Sequence, residues 1–460
     1  MLENNFKISI SERKFFLRLF DVVFVFLGLN LLSFTFNFHY FNYSNPQLLM
    51  WLITLALYIL FFGQIFEMYV LRVASDRFLT IRSVILTALF TTFFYVLTPI
   101  LTPELPENRL QIIYLFLVIV TALFLWRIGY QILIFSPLFF KRLLLIGSTE
   151  RIKNIVALIN THAQDNYIVG YVSNTENEQI KHDFFNLKNT NITTVVKKYQ
   201  VSDIIIESDT IEKLPHISNQ LIELFEEGYN ITSIENYKEE ITQCVPETRL
   251  NNHFYNHITF SKTYENRLYN AFHRLIDILI GFVGILSMLI VIPLVFLGNI
   301  IANRGPLFYI QTRVGKAGKL FTIFKFRTMV THAEVEGAIW ASKNDVRITK
   351  FGKFLRRSRI DEIPQFINIL WGEMSLIGPR PERPEFVSKL NTQYALFNIR
   401  HVIKPGLTGW AQVMYPYASS YEDQLVKLRY DLYYIKERNV ILDFKILTKT
   451  ISTIIFLRGS

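Results

Sequence analysis

Long apolar runs alternate with charged loops over the first third of the chain. Four of these runs are each close to the roughly 20 residues that a helix needs to cross the hydrocarbon core of a bilayer. They cover residues 15–38, 48–66, 84–101 and 112–135. We therefore predict four membrane-spanning helices within residues 1–140. No small-residue cleavage pattern follows the first run, so we expect a retained helix rather than a secretory signal peptide.

Basic residues mark alternate loops between these runs. Residues 7–18 contain four Lys or Arg residues, and residues 39–47 contain no charged residue. Basic residues return at residues 72–82 and again at residues 141–142. Because Lys and Arg near the ends of a span stay on the cytoplasmic side, both ends of the helical bundle are predicted to face the cytoplasm.

A fifth apolar run, residues 276–301, breaks this alternation. Arg274 stands before it, and four basic residues, the first of them Arg304, follow it between residues 304 and 319. Both flanks therefore favour the cytoplasmic side. Pro293 lies inside the run and predicts a kink, because proline removes a helical hydrogen bond. We predict a re-entrant helix over residues 275–302, and the alternative is an ordinary spanning helix that tolerates its proline.

The segment from residue 141 to residue 265 has the pattern of an α/β domain. Apolar strands are predicted at residues 143–146, 167–172 and 203–206, with helical stretches between them. The turn after the first strand has one glycine, Gly147, where a dinucleotide site needs three. We favour a degenerate structural or regulatory domain over a working nucleotide site.

Composition agrees with a membrane protein and locates positive charge at the C-terminal end. Hydrophobic residues make up 51% of the chain, and it contains 41 Phe and 23 Tyr. Residues 303–460 carry 25 Lys or Arg against 13 Asp or Glu, and the whole chain has a net charge of +10. Beside a membrane segment, this charge favours anionic lipid or a phosphorylated substrate as partner. No nucleic-acid motif is present, and the single Cys244 excludes an intrachain disulfide.

An amphipathic helix is predicted around residues 348–357. Ile348, Phe351 and Leu355 share one helical face, and Lys and Arg occupy the others. This pattern is typical of a helix at a membrane surface.

The most informative segment begins at Asp361. Helical spacing of apolar residues follows it, at Ile363, Phe366, Ile367 and Leu370. Pro364 fits only in the first turn of such a helix. Asp361 is therefore predicted as the N-cap and Glu362 as a first-turn residue, and simple helix capping is the alternative reading of both carboxylates.

The surroundings of these carboxylates favour chemistry over capping. Free N–H groups at a helix start attract anions, and arginines at positions 356, 357, 359 and 380 add charge suited to a pyrophosphate. Two adjacent carboxylates can divide the work, one attacking phosphorus and the other positioning a divalent metal. We expect Mg²⁺ as the cofactor, because it neutralises phosphate charge and polarises the bond to be broken.

Four motifs follow one another in the last third of the chain. They are KFRTM at 325–329, DEIPQ at 361–365, MSLIGPRPE at 374–382 and KPGLTGW at 404–410. Together they resemble the bacterial sugar transferase family, the monotopic phosphoglycosyl transferases, over residues 274–460. The four predicted helices and the α/β domain resemble the large polyprenyl glycosylphosphotransferase branch, whose middle domain is Rossmann-like and of CoA-binding type. This implies a mainly α catalytic domain with a re-entrant membrane helix over residues 266–460.

The resemblance implies an activity and a place in the cell. The family moves a sugar 1-phosphate from a UDP-sugar to undecaprenyl phosphate and releases UMP, as the first membrane step of exopolysaccharide, capsule or O-antigen synthesis. We therefore expect UDP-sugar, undecaprenyl phosphate and inner-membrane lipid as partners, with the catalytic domain on the cytoplasmic face of a bacterial inner membrane. A homodimer is left open, and no nucleic-acid partner is expected.

The resemblance also implies roles for individual residues. Asp361 falls on the nucleophile that forms a phosphosugar–enzyme ester, and Glu362 falls on its acidic partner, so these two are the expected catalytic and metal residues. Pro293 falls in the kink of the re-entrant helix. The expected substrate-binding residues are Lys325, Arg327, Arg356, Arg380 and Pro381.

Two other classes of function compete with this interpretation. A membrane-bound nucleotide-sugar dehydratase or epimerase would need a glycine fingerprint and a Tyr-x-x-x-Lys pair, and we find neither. A membrane sensor or transport component would leave the motifs around Asp361 and Arg380 unexplained. His253 and His257 have the spacing of a zinc-protease pair but lack its glutamate, so we interpret them as structural.

Overall fold

The computed structural model of the chain describes most of its residues. The described residues are 10–35, 38, 40–41, 45–70, 73, 77–134, 141–163, 166–208, 215–250, 266–303, 305–331, 333, 345–394, 396–415 and 420–456. They form two compact units, Met1–Thr232 and Ser233–Ser460. The N-terminal apolar helices, the parallel α/β region and the helical C-terminal part agree with the prediction at this level.

Four long apolar helices open the first unit. They are α1 (Ile10–Thr35), α2 (Leu48–Ile65), α3 (Arg77–Val96) and α4 (Leu110–Ile134). Each contains a stretch long and apolar enough to cross a membrane, which indicates a membrane-associated protein. Helix α3 starts at residue 77 rather than at the predicted 84, because Phe78 and Ile81 extend its exposed apolar face.

A buried ion pair joins α1 to α4. Arg127 Nη2 donates to Asp21 Oδ2 at 2.6 Å, and both side chains are almost fully buried. The Arg127 guanidinium also lies 5.5 Å from the centroid of the Tyr69 ring. A buried charge is costly unless it is paired, so this contact restricts how the two helices can pack. Neither residue stands out in the sequence.

The rest of the first unit is a five-stranded α/β domain. Its elements are β1 (Lys141–Ile146), α5 (Thr149–His162), β2 (Asn166–Ser173), β3 (Asp183–Asn186), α6 (Ile192–Tyr199), β4 (Asp203–Ile206), α7 (Pro215–Glu226) and β5 (Asn230–Ser233). The strand order is β3-β2-β1-β4-β5, and β1 pairs in parallel with both β2 and β4. The sheet core includes Leu144, Ile146 and Ile204.

The turn between β1 and α5 holds one of the protein's own carboxylates. Glu207 follows β4, and its Oε2 accepts a hydrogen bond from the Ser148 N–H at 2.5 Å. Its Oε1 pairs with Arg151 Nε at 2.9 Å. A Cβ on Gly147 would lie 2.7 Å from Glu207, so the glycine makes room for this side chain. The start of α5, where open α/β sheets bind nucleotide phosphates, is thus occupied by Glu207.

Helices dominate the second unit. They are α8 (Ile234–Thr242), α9 (Arg267–Ala302), α10 (Lys350–Arg357), α11 (Phe366–Trp371), α12 (Pro384–Gln393), α13 (Trp410–Met414), α14 (Tyr421–Glu437) and α15 (Val440–Ile455). The strands are β6 (Phe308–Val314), β7 (Leu320–Phe326), β8 (Ser375–Ile377) and β9 (Gly406–Thr408). Strands β6 and β7 form an antiparallel hairpin, and β8 and β9 form a short parallel pair.

The second unit begins at Ser233, and the domain boundary predicted at residue 265 stays a prediction. Lys436 Nζ on α14 pairs with Glu239 on α8 at 2.6 Å. Arg429 Nε on α14 donates to the carbonyl of Val245 at 2.7 Å. These polar contacts hold α8 and the residues after it in the second unit, and no periodicity in the sequence reveals them. The predicted histidine pair, His253 and His257, lies outside the described residues.

The fifth apolar run forms one helix, α9, of 36 residues. The helix passes through Pro293 without interruption. Its length of about 54 Å, at about 1.5 Å per residue, exceeds the roughly 30 Å of a hydrocarbon core. The re-entrant path over residues 275–302 stays a prediction, and Arg304, one of its predicted flanks, lies outside the described residues.

Glycines on α9 let the rest of the second unit approach the helix closely. A Cβ on Gly281 would lie 2.7 Å from Leu370, and a Cβ on Gly284 would overlap the ring of Phe366. Gly298 makes room for Phe351 of α10 in the same way. The predicted amphipathic helix is therefore present as α10, and part of its apolar face packs on α9.

Candidate active site

The Asp361–Glu362 pair lies in a 3₁₀ helix, Ile360–Gln365, that leads into α11. Arg359 precedes this helix in the left-handed region with φ 58°. The predicted N-cap role of Asp361 is wrong, because Asp361 lies within the first turn. Pro364 has no N–H to donate, and the segment winds as a 3₁₀ helix before the α-helix begins. The Glu362 N–H already donates to the Arg359 carbonyl at 3.2 Å, so it does not form the expected free N–H site.

Apolar neighbours set the direction of the two carboxylates. Ile360 and Ile363 pack with Met288 of α9 and with Phe326 of β7. With the isoleucines on this apolar side, both carboxylates are buried among basic groups of the second unit.

Glu362 is held by three cations. Its Oε1 accepts a hydrogen bond from Arg380 Nη2 at 2.9 Å and lies 3.3 Å from Lys325 Nζ. Its Oε2 pairs with Arg359 Nη1 at 3.1 Å. Burial raises the pKa of Glu362, but the positive charges of Arg380, Lys325 and Arg359 outweigh burial and hold the pKa well below its usual range. Glu362 is therefore a permanent anion that organises this cluster.

Asp361 differs sharply from its neighbour. Its side chain is only 7% exposed, and its Oδ1 is buried without a hydrogen-bond partner. Burial, followed by repulsion from Glu362, raises the pKa of Asp361 from 3.8 to about 6. A buried carboxylate oxygen without a hydrogen bond is destabilising, and such groups concentrate at functional sites. The free lone pairs are available to a substrate atom.

Lys325 reaches the site from the hairpin. It lies on β7 directly opposite Tyr309 of β6, which places both side chains on one face of the two-stranded sheet. Burial lowers the pKa of Lys325 to about 8, against the opposing effect of Glu362. The ammonium group is thus a buried cation next to both carboxylates.

The other predicted arginines take different positions. Arg356 donates through Nε to Thr328 Oγ1 at 2.9 Å, and its positive charge favours ionised Asp361. Arg327 donates to the carbonyls of Pro306, Met329 and Asn303 and to the Asn299 side chain. Four of its five N–H groups are therefore used within the protein, which favours a bracing role. Its assignment to substrate binding stays a prediction. Arg357 is exposed at the end of α10.

Arg380 and Pro381 lie in a loop fixed by the β8–β9 pair. The Gly378 N–H donates to the Thr408 carbonyl, and the Gly406 N–H donates to the Pro379 carbonyl, both at 2.9 Å. A Cβ on Gly378 would collide with the carbonyl of Lys404. Two of the sequence motifs, MSLIGPRPE and KPGLTGW, are thus two sides of one structure that holds Arg380 against Glu362.

Two residues of this region carry no signal in the sequence. Arg400 Nη2 donates to the Arg380 carbonyl at 3.1 Å and to Asp431 Oδ2 at 2.7 Å. Both side chains are almost completely buried. They belong to none of the motifs and come from separate elements, so spacing alone does not bring them together.

The side chains that the structure describes at this site do not form a complete metal-binding site by themselves. They fit better a metal ion that binds together with the substrate. Within the described ranges, no group of three or more His, Cys, Asp or Glu side chains is arranged to hold a metal ion. Both oxygens of Glu362 accept from cations, while Asp361 Oδ1 is free. Mg²⁺ usually takes only one or two carboxylates from a protein and completes its shell with phosphate and water.

Comparison with known proteins places this site in a family. The sequence profile described as bacterial sugar transferase matches residues 268–457. A Bacillus subtilis protein named putative undecaprenyl-phosphate N-acetylgalactosaminyl 1-phosphate transferase is 42% identical over 142 residues, which are 31% of this chain and 79% of that protein. The chain belongs to the bacterial sugar transferase family.

Other members of the family match this chain over a part of their length. An Aeromonas hydrophila UDP-N-acetylgalactosamine-undecaprenyl-phosphate N-acetylgalactosaminephosphotransferase is 46% identical over 153 residues, 33% of this chain and 36% of that protein. A galactosyl transferase of Streptococcus agalactiae is 32% identical over 274 residues, 57% of this chain and 56% of that protein. The chain thus spans about a third of the Aeromonas protein and about half of the streptococcal one.

Proposed function

We propose that this sugar transferase moves a sugar 1-phosphate from a UDP-sugar to undecaprenyl phosphate and releases UMP. The names of its relatives describe transfer of this kind. The observation that carries the proposal is the buried Asp361 carboxylate, which has no hydrogen-bond partner at Oδ1 although cations surround it. Its neighbour Glu362, by contrast, is paired with three of these cations.

In the first step Asp361 attacks the β-phosphorus of the UDP-sugar. A bond forms between an Asp361 oxygen and phosphorus, and the bond from that phosphorus to the oxygen of UMP breaks. UMP leaves with the electron pair, and the sugar phosphate stays on Asp361 as an acyl phosphate. Because attack requires the ionised carboxylate, the nearby charges of Lys325 and Arg356, which favour that form, support this step.

In the second step the lipid phosphate attacks the same phosphorus. An oxygen of undecaprenyl phosphate forms the new bond, and the bond to Asp361 breaks, which regenerates the carboxylate. Arg380 and Arg359, held by Glu362, supply fixed positive charge where the phosphates change partners. Burial of the site limits attack by water on the acyl phosphate.

Mg²⁺ is part of this proposal, and Asp361 and Glu362 are the residues that would hold it beside the substrate phosphates. It would neutralise phosphate charge and polarise the bond that breaks. We also place the catalytic unit on the cytoplasmic face of a bacterial inner membrane, where α9 re-enters the bilayer with Pro293 at its kink. The reaction is then the first membrane step of exopolysaccharide, capsule or O-antigen synthesis.

The test uses the purified full chain without lipid acceptor. Incubation with UDP-glucose, UDP-galactose or UDP-N-acetylgalactosamine should exchange labelled UMP into one UDP-sugar, and mass spectrometry should find a sugar-phosphate adduct on the peptide that contains Asp361. Asp361→Asn should lose both signals. Asp423→Asn is the matched control, because Asp423 is a carboxylate that caps α14. Turnover without an adduct, with Asp361→Asn still active, would replace the covalent mechanism by direct attack of the lipid phosphate.

A further inference from the structure

Two arginines hold two consecutive carbonyl groups of the loop that carries Arg380. Arg400 Nη2 donates to the carbonyl of Arg380, and Arg313 Nη1 donates to the carbonyl of Pro381, both at 3.1 Å. Arg400 comes from a 3₁₀ helix, Phe397–Val402, and Arg313 from β6. The two contacts therefore reach the loop from separate elements.

Each of these arginines is aligned by partners of its own. Arg400 is paired with Asp431 at 2.7 Å and lies over the Phe397 ring, 4.8 Å from its centroid. Its side chain is 4% exposed, so it is buried away from substrate. Arg313 Nη2 donates to Gln311 Oε1 at 2.5 Å, and its Nη1 lies 3.7 Å from Glu382.

The geometry points to Arg313 and Arg400 as positioning residues, a carbonyl clamp that fixes the backbone at residues 380–381 and so aims the Arg380 side chain at Glu362. The inference rests on the proposed function, since Arg380 matters for the rate only if it acts on the transferring phosphates. Arg400 gives the cleaner test of the two, because Arg313 lies next to the site and is more exposed.

The physical reason is that a guanidinium holds two acceptors in fixed directions. Arg400 Nη2 serves the Arg380 carbonyl and the Asp431 carboxylate together, and the buried charge pair is rigid because the alternative is an unpaired charge in the interior. Removal of Arg400 frees the loop carbonyl and releases the Arg380 side chain from its direction toward Glu362.

The first test is a double-mutant cycle on the rate of UMP release in a single turnover. Arg400→Met should lower that rate about tenfold or more in the parent chain, and less than about twofold in an Arg380→Met background, because the two residues act as one unit. Arg429→Met is the matched control, since Arg429 donates to a backbone carbonyl at Val245, outside this loop. Its effect should be the same in both backgrounds. Equal effects of Arg400→Met in both backgrounds would overturn the clamp.

The second test does not depend on activity. Hydrogen exchange at residues 377–383 should be faster in Arg400→Met than in the parent, and unchanged in Arg429→Met and Arg380→Met. If Arg400→Met does not fold, Arg400→Lys keeps the charge beside Asp431 and replaces the planar guanidinium, and it is measured in the same two ways. Unchanged exchange in the loop would reject the clamp even if the proposed reaction is confirmed. Faster exchange without any UMP release would reject the reaction and leave the clamp.

Discussion

Asp361→Asn should remove activity and at the same time stabilise the second unit. The pKa of Asp361 is raised from 3.8 to about 6, and a tenfold change in acidity corresponds to about 1.4 kcal/mol. Keeping this carboxylate ionised near neutral pH therefore destabilises the folded protein by about 3 kcal/mol. An unsatisfied buried amide offsets about 1–2 kcal/mol of the gain. The remainder, about 1–2 kcal/mol, raises the melting temperature of a unit of this size by about 2–8 °C.

The stability difference between the parent and Asp361→Asn should depend on pH in one direction. Between about pH 4 and pH 6 the folded protein binds a proton at Asp361 more tightly than the unfolded chain does, because the folded pKa is the higher one. The parent therefore loses stability as the pH rises through this window, and Asp361→Asn does not. The advantage of asparagine should be complete above about pH 6 and shrink toward about pH 4. The parent's first-turnover rate should rise through about pH 6, because in the proposed mechanism only the ionised carboxylate of Asp361 attacks.

Tryptophan fluorescence during thermal unfolding is a suitable assay, because Trp371 and Trp410 both lie in the second unit. Glu362→Gln is the informative comparison. It removes the counter-charge of Lys325, Arg359 and Arg380, and breaking such a buried set costs about 3 kcal/mol or more. The two neighbouring substitutions should thus shift the melting temperature in opposite directions. A loss of stability in Asp361→Asn equal to that of Glu362→Gln, at every pH, would refute the reasoning.

Two further predictions concern α9. Cysteines placed at exposed Leu268 and at Lys316, in a Cys244→Ser chain, should both resist a membrane-impermeant thiol reagent added to intact cells, and labelling at position 316 from outside would contradict the re-entrant path. Gly284→Leu should displace the Phe366 ring, destabilise the second unit by about 1–3 kcal/mol and slow UMP release. Leu286→Ala, on the exposed face of the same helix, is its control and should change stability little, while equal loss in both variants would show that close approach at Gly284 is unimportant.

Features with a strong local signal were predictable from the sequence. The apolar runs predict the long helices because length and composition alone determine whether a helix can cross a bilayer. Alternating strands and helices predict the α/β region, and Ile363 and Phe366 have the spacing of the helix that follows Asp361. The N-cap prediction failed because periodicity does not distinguish a 3₁₀ turn from an α-helical one over so few residues.

Contacts between distant segments were not predictable. The arginines expected around Asp361 include Arg359 and Arg380, which do bind Glu362, whereas Arg327 turns to backbone carbonyls instead. The sequence does not distinguish an arginine that binds substrate from one that stabilises a loop, because the acceptors within its reach depend on the fold. Arg400 and Asp431 are 31 positions apart and share no pattern, so they stayed hidden.

The glycine after β1 has a different role from the one that a glycine usually has at this turn. In a nucleotide-binding sheet, a glycine at this turn lets a ligand's phosphate come near the backbone. Gly147 instead leaves space for the Glu207 side chain, which a larger residue would displace. The glycine and the glutamate therefore constrain each other, and a chain that changed one would be under pressure to change both. Among homologues, we expect the glycine at position 147 and the glutamate at position 207 to be conserved together or lost together. Such paired change would identify an α/β domain in which a glutamate of the protein takes the place of a bound anion.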